Sequence, residues 1–163
     1  MNDAKKDILI LGVGNDILTD DGIGPKITMR LKNESNISGN IHYDTAFMGG
    51  LDLLEFIRDY KTVIIIDAIK TKDGKPGDVF YCTPDDFKYA LHLDNLHDVS
   101  FLTAIKLGKK SGYNITDNIH IIAVEVVEDR VFSNDFSPEI QKKYEDITAT
   151  VKRYINEILS ESS

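Results

Sequence analysis

The sequence predicts an α/β protein, a three-layer α/β/α sandwich whose twisted, mostly parallel sheet has about five strands flanked by helices. Three observations support this fold class. Short apolar runs rich in β-branched residues are typical of parallel strands covered on both faces. Segments with helical spacing of apolar residues separate these runs. The length of 163 residues suits a single domain, predicted to span 1–163.

The strand candidates differ in strength. Residues 8–11, 63–66 and 119–124 are short, nearly continuous apolar runs rich in β-branched residues, as expected of buried parallel strands. Residues 41–46 and 77–82 are weaker candidates. The second of these follows the turn-like segment KDGKPGD and is predicted to be antiparallel or to lie at an edge of the sheet.

Helical spacing of apolar residues occurs at 23–31, 51–57, 102–105 and 140–158. The last helix is predicted to begin with Ser137 as its N-cap, Pro138 in its first turn and Glu139 near the positive end of the helix dipole. The predicted order of elements is therefore β-α-β-α-β-β-α-β-α, which is typical of a sheet covered by helices on both faces.

Composition excludes several function classes. The net charge of -8 opposes binding to nucleic acid or to an anionic membrane surface. Cys82 is the single cysteine, so an internal disulfide and a CxxC motif are both excluded, and a buried, inert thiol is expected. The first apolar run is too short for a signal peptide or a membrane span, so we expect a cytoplasmic protein that does not contact a membrane.

Acidic residues and a histidine follow the predicted strands. Asp20 and Asp21 come after the first strand, Asp67 ends the third, and His97 precedes a helix. Ligands of open α/β sheets bind beyond the carboxyl ends of the strands, where the strand order reverses. If strands one and three are neighbours, the carboxylates of Asp21 and Asp67 converge there. Two carboxylates and an imidazole suit nickel, zinc, manganese or iron.

Two of these assignments have alternatives. Asp20 is as well explained as a helix cap as it is by a functional role. His92, five residues upstream, is the rival ligand to His97. Other chemistries lack their motifs: the glycine pattern after strand one does not complete a dinucleotide fingerprint, and neither a Walker lysine nor a G-x-S-x-G elbow is present.

Four blocks of the sequence resemble the hydrogenase maturation endopeptidases. In chain order they are ILILGVGNDILTDDGIGPKI, MGGLDLLEFIRDYKTVIIIDAI, LHDVSFLTAI and IIAVEV…FSPEIQ. The resemblance implies a twisted sheet flanked by helices, and a metal-contacting set of Asp21, Asp67 and His97. The family often has glutamate where this chain has Asp21, so the carboxylate here is one methylene shorter.

The resemblance also implies an activity, the removal of the C-terminal extension of a nickel-iron hydrogenase large-subunit precursor after nickel insertion. The nickel would be supplied by the substrate, with no tightly bound organic cofactor, and the peptidase would act as a monomer. Asp21 and Asp67 would be the catalytic pair, either beside a metal-activated water or as two carboxylates sharing a proton. The residues expected to contact the substrate are Asn15, Asp20, Gly49 and Gly50. For neighbouring Phe47 and Met48, core packing is the favoured interpretation.

Two other classes of function use the same acidic residues. A receiver-like domain would bind magnesium beside a phosphoacceptor aspartate, although VEVVEDR lacks the lysine that such a pocket needs after the last strand. A non-catalytic nickel-binding maturation chaperone would use the same ligands without hydrolysis.

Overall fold

The protein is described by a computed structural model covering residues 6–34, 36–47, 50–86 and 96–162. For residues 6, 50 and 96–100 only the backbone is described. The strands are β1 (Lys6–Val13), β2 (Ile41–Ala46), β3 (Tyr60–Ile69), β4 (Val79–Cys82) and β5 (Ile119–Glu125). The longer helical elements are α1 (Ile23–Glu34), α2 (Leu53–Ile57), α3 (Leu96–Lys110) and α4 (Pro138–Glu161). Short 3-10 turns span Thr19–Gly22 and Gly50–Asp52. The predicted order of elements is confirmed.

The strands form one sheet in the order β2-β1-β3-β5-β4. Strands β2, β1, β3 and β5 are parallel, and β4 runs antiparallel to β5 at the edge of the sheet. Both predictions for the strand after KDGKPGD are therefore confirmed. From β1 the chain passes through α1 to β2 on one side, and then returns across β1 to β3 on the other. The strand order thus reverses between β1 and β3, which makes their carboxyl ends the switch point of the sheet.

Helices cover both faces of the sheet, which explains why its central strands are apolar throughout. Successive residues of β3 alternate between two cores: Val63 and Ile65 pack in the layer of α2 and α3, and Ile64 and Ile66 pack in the layer of α1 and α4. A strand buried on one face only would show polar residues at every second position. The three-layer sandwich is thus confirmed.

The start of α4 differs from the prediction in one detail. Ser137 occupies the N-cap position and Pro138 the first turn, but the Ser137 hydroxyl does not bond its own helix. It donates instead to the carboxylate of Asp20, at 2.7 Å. The sequence signal for the helix start was correct, whereas the hydroxyl serves a tertiary contact. In the described part of the chain, no helix has both the length and the apolar character to cross a bilayer.

Candidate active site

The carboxylates of Asp21 and Asp67 follow neighbouring strands at the switch point. Strands β1 and β3 pair in parallel with Gly12 opposite Ile66, so the condition for convergence is met. Asp67 lies near the end of β3, and Asp21 lies in the 3-10 turn that follows β1. Both residues are partly buried. The sheet therefore brings these two carboxylates to the same edge.

The loop after β1 holds Asp21 through its backbone. The N–H of Asn15 donates to Oδ2 of Asp21 at 2.7 Å, and the side chain of Asn15 accepts from the N–H of Ile17 at 3.2 Å. Gly14 has φ of 142°, and a Cβ there would overlap the carbonyl oxygen of Asp21. Glycine is needed because no side chain fits between these segments. Asn15 thus has a described role within the loop, and its contact with substrate stays a prediction.

The amino end of α1 packs directly on the ends of the two strands. A Cβ at Gly24 would overlap the carbonyl oxygen of Ile66 and approach that of Val13. The absence of a side chain lets the helix begin against the backbone of β1 and β3. This close packing fixes the short turn that carries Asp21 over the carboxyl edge of the sheet.

Asp67 belongs to the face of the sheet that α2 and α3 cover. It is two residues from Ile65 and two from Ile69, which both pack in that layer, and every second residue of a strand lies on the same face. Its Oδ1 accepts from the N–H of Ala68 at 2.8 Å. Helix α3 ends near the amino edge, since Asn114, just beyond it, accepts a hydrogen bond from the N–H of Asp59 before β3. The first turn of α3 therefore lies at the carboxyl edge, on the same face as Asp67.

The histidine and glycine predictions fall partly outside the described residues. The backbone of His97 lies in the first turn of α3, but its side chain is not described, and His92 and Gly49 lie outside the described residues altogether. Gly50 begins the 3-10 turn after β2. Among the side chains that the structure describes, no three from His, Cys, Asp and Glu form a group that could hold a metal ion. The set of Asp21, Asp67 and His97 stays a prediction.

Asp20 has a structural environment that differs from that of Asp21. Its side chain has no exposed surface, and the N-cap position of its 3-10 turn is held by Leu18. Oδ2 accepts from the N–H groups of Val127 at 3.1 Å and Glu128 at 2.9 Å, and from the Ser137 hydroxyl; Oδ1 accepts from the N–H of Ser137 at 2.7 Å. Asp20 therefore ties the first loop to the segment after β5. It neither caps its own helix nor faces a position that a substrate could reach.

The environments of two further residues near the site were not identified from the sequence. Glu125, at the end of β5, is buried, and its carboxylate accepts from the N–H of Thr71 at 2.7 Å and from the hydroxyl of Thr71 at 2.9 Å. A lone glutamate closing an apolar strand is the signal that could have identified this anchor. Phe47 was expected in the core but is 73% exposed, so that interpretation is wrong. It follows β2 at the same edge of the sheet.

Comparisons with known proteins agree with this geometry. The family model of the hydrogenase maturation protease HycI matches residues 25–154, a range that includes Asp67 and His97 and begins after Asp21. Hydrogenase 2 maturation protease of Escherichia coli is 36% identical over 70 residues, which are 43% of each chain. The chain spans 43% to 66% of the length of the curated relatives that it matches.

Solved structures show the same fold. An endopeptidase of Escherichia coli superimposes with a TM-score of 0.74 at 23% identity, covering 96% of this chain and 94% of that one. The hydrogenase maturating endopeptidase HybD of Escherichia coli gives a TM-score of 0.69 at 23% identity, covering 93% of each chain. The family model matches well over half of the sequence, and the architecture agrees with it from end to end. The chain therefore belongs to the hydrogenase maturation protease family.

Proposed function

We propose that this protein is an endopeptidase that removes the C-terminal extension of a nickel-iron hydrogenase large-subunit precursor after nickel insertion. Membership of the family supports the class of reaction. The observation that carries the proposal is the pair of partly buried carboxylates, Asp21 and Asp67, that follow neighbouring strands at the switch point. We propose that the protein acts as a monomer in the cytoplasm.

Peptide hydrolysis needs a water molecule that is deprotonated as it attacks and a leaving nitrogen that is protonated as it departs. A carboxylate within hydrogen-bond reach of the water can accept its proton, and a second carboxylic acid nearby can donate. We assign these roles to the pair formed by Asp21 and Asp67. The Asn15 N–H helps to orient the carboxylate of Asp21 because it donates to Oδ2.

Nickel enters this proposal as part of the substrate. Carboxylate and imidazole donors suit a divalent metal of this hardness, so Asp21, Asp67 and His97 are proposed to contact a nickel ion that the precursor already holds. An ion at this position would polarise the scissile carbonyl or lower the pKa of a bound water. Recognition of the ion would restrict cleavage to precursor that has received its metal.

The receiver-like interpretation has no support in the family comparison. Its phosphate pocket would also need a lysine after the last strand, whereas β5 ends with the buried acid Glu125 and is followed directly by Val126. A chaperone that binds the nickel-loaded precursor without cutting it is distinguished by the experiment below.

The test is cleavage of nickel-loaded precursor by variants of the two carboxylates, measured by gel shift. Asp21→Asn and Asp67→Asn are expected to slow cleavage by about 100-fold or more, because removal of a general base typically costs that much. Asparagine keeps the size of the side chain, so both variants should melt near the wild-type temperature. Asp146→Asn is the control, since Asp146 is an exposed carboxylate on α4.

Cleavage at the wild-type rate by both variants would refute the assignment of this pair. A wild-type protein that binds the loaded precursor and leaves it uncut would show a chaperone and refute the peptidase.

A further inference from the structure

Two large apolar side chains are exposed beside the candidate active site. Val131 is 57% exposed and Phe132 is 75% exposed, and both lie in the loop of residues 126–137 that joins β5 to α4, here called the β5–α4 loop. Exposed apolar side chains that are close together often mark a surface where a partner binds. These side chains therefore need a functional explanation.

The β5–α4 loop is held in one conformation by hydrogen bonds to buried groups. The carboxylate of Asp20 binds the loop near both ends, as described above. Between those ends, the hydroxyl of Thr19 donates to the carbonyl of Val131 at 2.5 Å, and its N–H donates to the carbonyl of Ser133 at 3.0 Å. The carboxylate of Glu128 accepts from the N–H of Val131 at 3.1 Å. A fixed loop loses little conformational entropy when a partner binds.

The same hydrogen bonds place the exposed residues next to the loop that carries Asp21. Leu18 and Ser133 form a parallel bridge, in which the N–H of Ser133 donates to the carbonyl of Ile17 at 3.0 Å. Ile17 and Phe132 precede the bridged residues, so they lie side by side. Ile17 is itself 47% exposed. Ile17, Val131 and Phe132 are thus exposed apolar residues on two hydrogen-bonded segments, here called the apolar patch, which begins four residues before Asp21.

We propose that this apolar patch is the docking surface for an apolar segment of the precursor next to its scissile bond. The inference rests on the proposed function, and it adds the part of the surface that holds the substrate protein. The patch continues directly into the loop of the candidate active site. A segment docked on it would be led towards the two carboxylates.

The size and charge of the molecule favour a transient substrate over a second copy of this chain. A large side chain buries at most about 150–250 Å² when fully covered, so three residues contribute less than the roughly 800 Å² per partner of a stable interface. Two copies would also bring together chains that each carry a net charge of -8. Interfaces of this small size are typical of transient complexes.

The experiment measures KM and kcat for cleavage of nickel-loaded precursor by the double variant Val131→Ser with Phe132→Ser. The KM is expected to rise by about tenfold, because the variant loses apolar contacts that the precursor would cover on binding. The kcat should stay within about twofold of that of the wild type. Leu107→Ser is the matched control, because Leu107 is 48% exposed on α3 near the opposite edge of the sheet. Its KM should match that of the wild type.

The possible results separate this inference from the proposed function. A double variant that cleaves with the KM of the wild type overturns the docking surface and leaves the peptidase intact. A wild-type protein that cleaves no loaded precursor overturns the peptidase, and the docking inference with it. A wild-type dimer that becomes monomeric in the double variant, as measured by gel filtration with light scattering, would assign the patch to a second copy and overturn the inference.

Discussion

Asp20 and Asp21 are adjacent in the chain and lie in opposite environments. The carboxylate of Asp21 is partly exposed at the switch point, where the Asn15 N–H donates to it. The carboxylate of Asp20 is fully buried and accepts four hydrogen bonds from three residues beyond β5. A 3-10 turn directs neighbouring side chains to different sides, so one acid serves the surface and the other the interior. The carboxylate of Asp21 is thus accessible at the switch point, whereas that of Asp20 stabilises the fold.

Replacement of Asp20 by asparagine tests its structural role. The amide group of Asp20→Asn has one acceptor oxygen in place of two, so buried N–H groups lose their partner. We expect the free energy of unfolding to fall by about 3 kcal/mol, since each unsatisfied buried donor costs roughly 1–3 kcal/mol. Urea denaturation followed by circular dichroism gives this value.

Asp16→Asn is the control for that measurement, because Asp16 is exposed in the same loop. Its effect should stay within about 0.5 kcal/mol of wild type. Equal stability of Asp20→Asn and Asp16→Asn would show that the buried hydrogen bonds contribute nothing to the fold.

The role of Asp20 could not be predicted from the sequence because its partners are far along the chain. The hydrogen bonds of its side chain reach residues that are 107 to 117 positions away. Local patterns report on caps and turns, which depend on neighbours in sequence. Asp21 and Asp67 were predictable because their positions follow from the ends of two strands, and strand ends are visible in the pattern of apolar residues.

Among the elements, the turn after β1 needs glycine for two reasons, whereas the turn after α3 needs it for one. Gly14 and Gly112 both have positive φ, at 142° and 89°. A Cβ at Gly14 would overlap the backbone of Asp21, whereas a Cβ at Gly112 would meet nothing within 4 Å. The first position is therefore constrained by conformation and by space, and the second by conformation alone.

Alanine at these two positions separates the two constraints. Gly112→Ala should lower the free energy of unfolding by about 1 kcal/mol, the usual cost of a left-handed non-glycine residue. Gly14→Ala should cost more than about 2 kcal/mol and also reduce cleavage, because the turn that carries Asp21 must move. Thermal unfolding and the gel-shift assay measure both effects. Equal losses of stability in the two variants would contradict the overlap.

His120 on β5 has a hydrogen-bond partner at each of its two ring nitrogens. The amide of Asn118 donates to the hydroxyl of Thr62 at 2.8 Å, which turns its oxygen towards Nε2 of His120, at 2.7 Å. His120 therefore donates through Nε2 and accepts at Nδ1 from the Tyr81 hydroxyl, at 2.9 Å. Burial lowers the pKa of His120, partly offset by the charge of Glu161.

This environment predicts a dependence of stability on pH. The unfolded chain binds a proton at His120 near pH 6.5, and the folded chain does so only at lower pH. Between the pKa of His120 in the folded chain and its pKa in the unfolded chain, the unfolded state holds more protons. The free energy of unfolding therefore falls as pH falls below about 6.5, and the full contribution is present above that pH. His120→Gln should flatten this part of the curve, measured by urea denaturation from pH 5 to 7.5. Parallel curves for the two proteins would contradict the prediction.

At the scale of the whole molecule, the arrangement of layers was predictable and the details of the loops were not. Continuous apolar strands can only be covered on both faces, and helical segments between parallel strands provide that cover. The same pattern correctly separated the edge strand β4, because Gly77 and Pro76 mark the turn before it. The exposure of Phe47 was not predictable, since an isolated aromatic residue in sequence is usually buried.

The origin of the metal concerns both this protein and the precursor. We predict that treating the peptidase with a chelator, followed by removal of the chelator, leaves cleavage of nickel-loaded precursor unchanged. Removing nickel from the precursor should abolish cleavage, since the ion is proposed to arrive with the substrate. The gel-shift assay compares the two treatments. Loss of activity after treatment of the peptidase alone would indicate a resident metal.

The link between Asp20 and residues 127–137 has a consequence for synthesis on the ribosome. The first loop is translated early, but every donor to that buried carboxylate emerges only after β5 has been made. Until then the charge of Asp20 remains hydrated, and the turn next to it lacks its anchor. A nascent chain that stops at the end of β5 would therefore carry Asp20 and Asp21 in a turn without these hydrogen bonds, so that the turn acquires its anchor only when the final quarter of the polypeptide has been made.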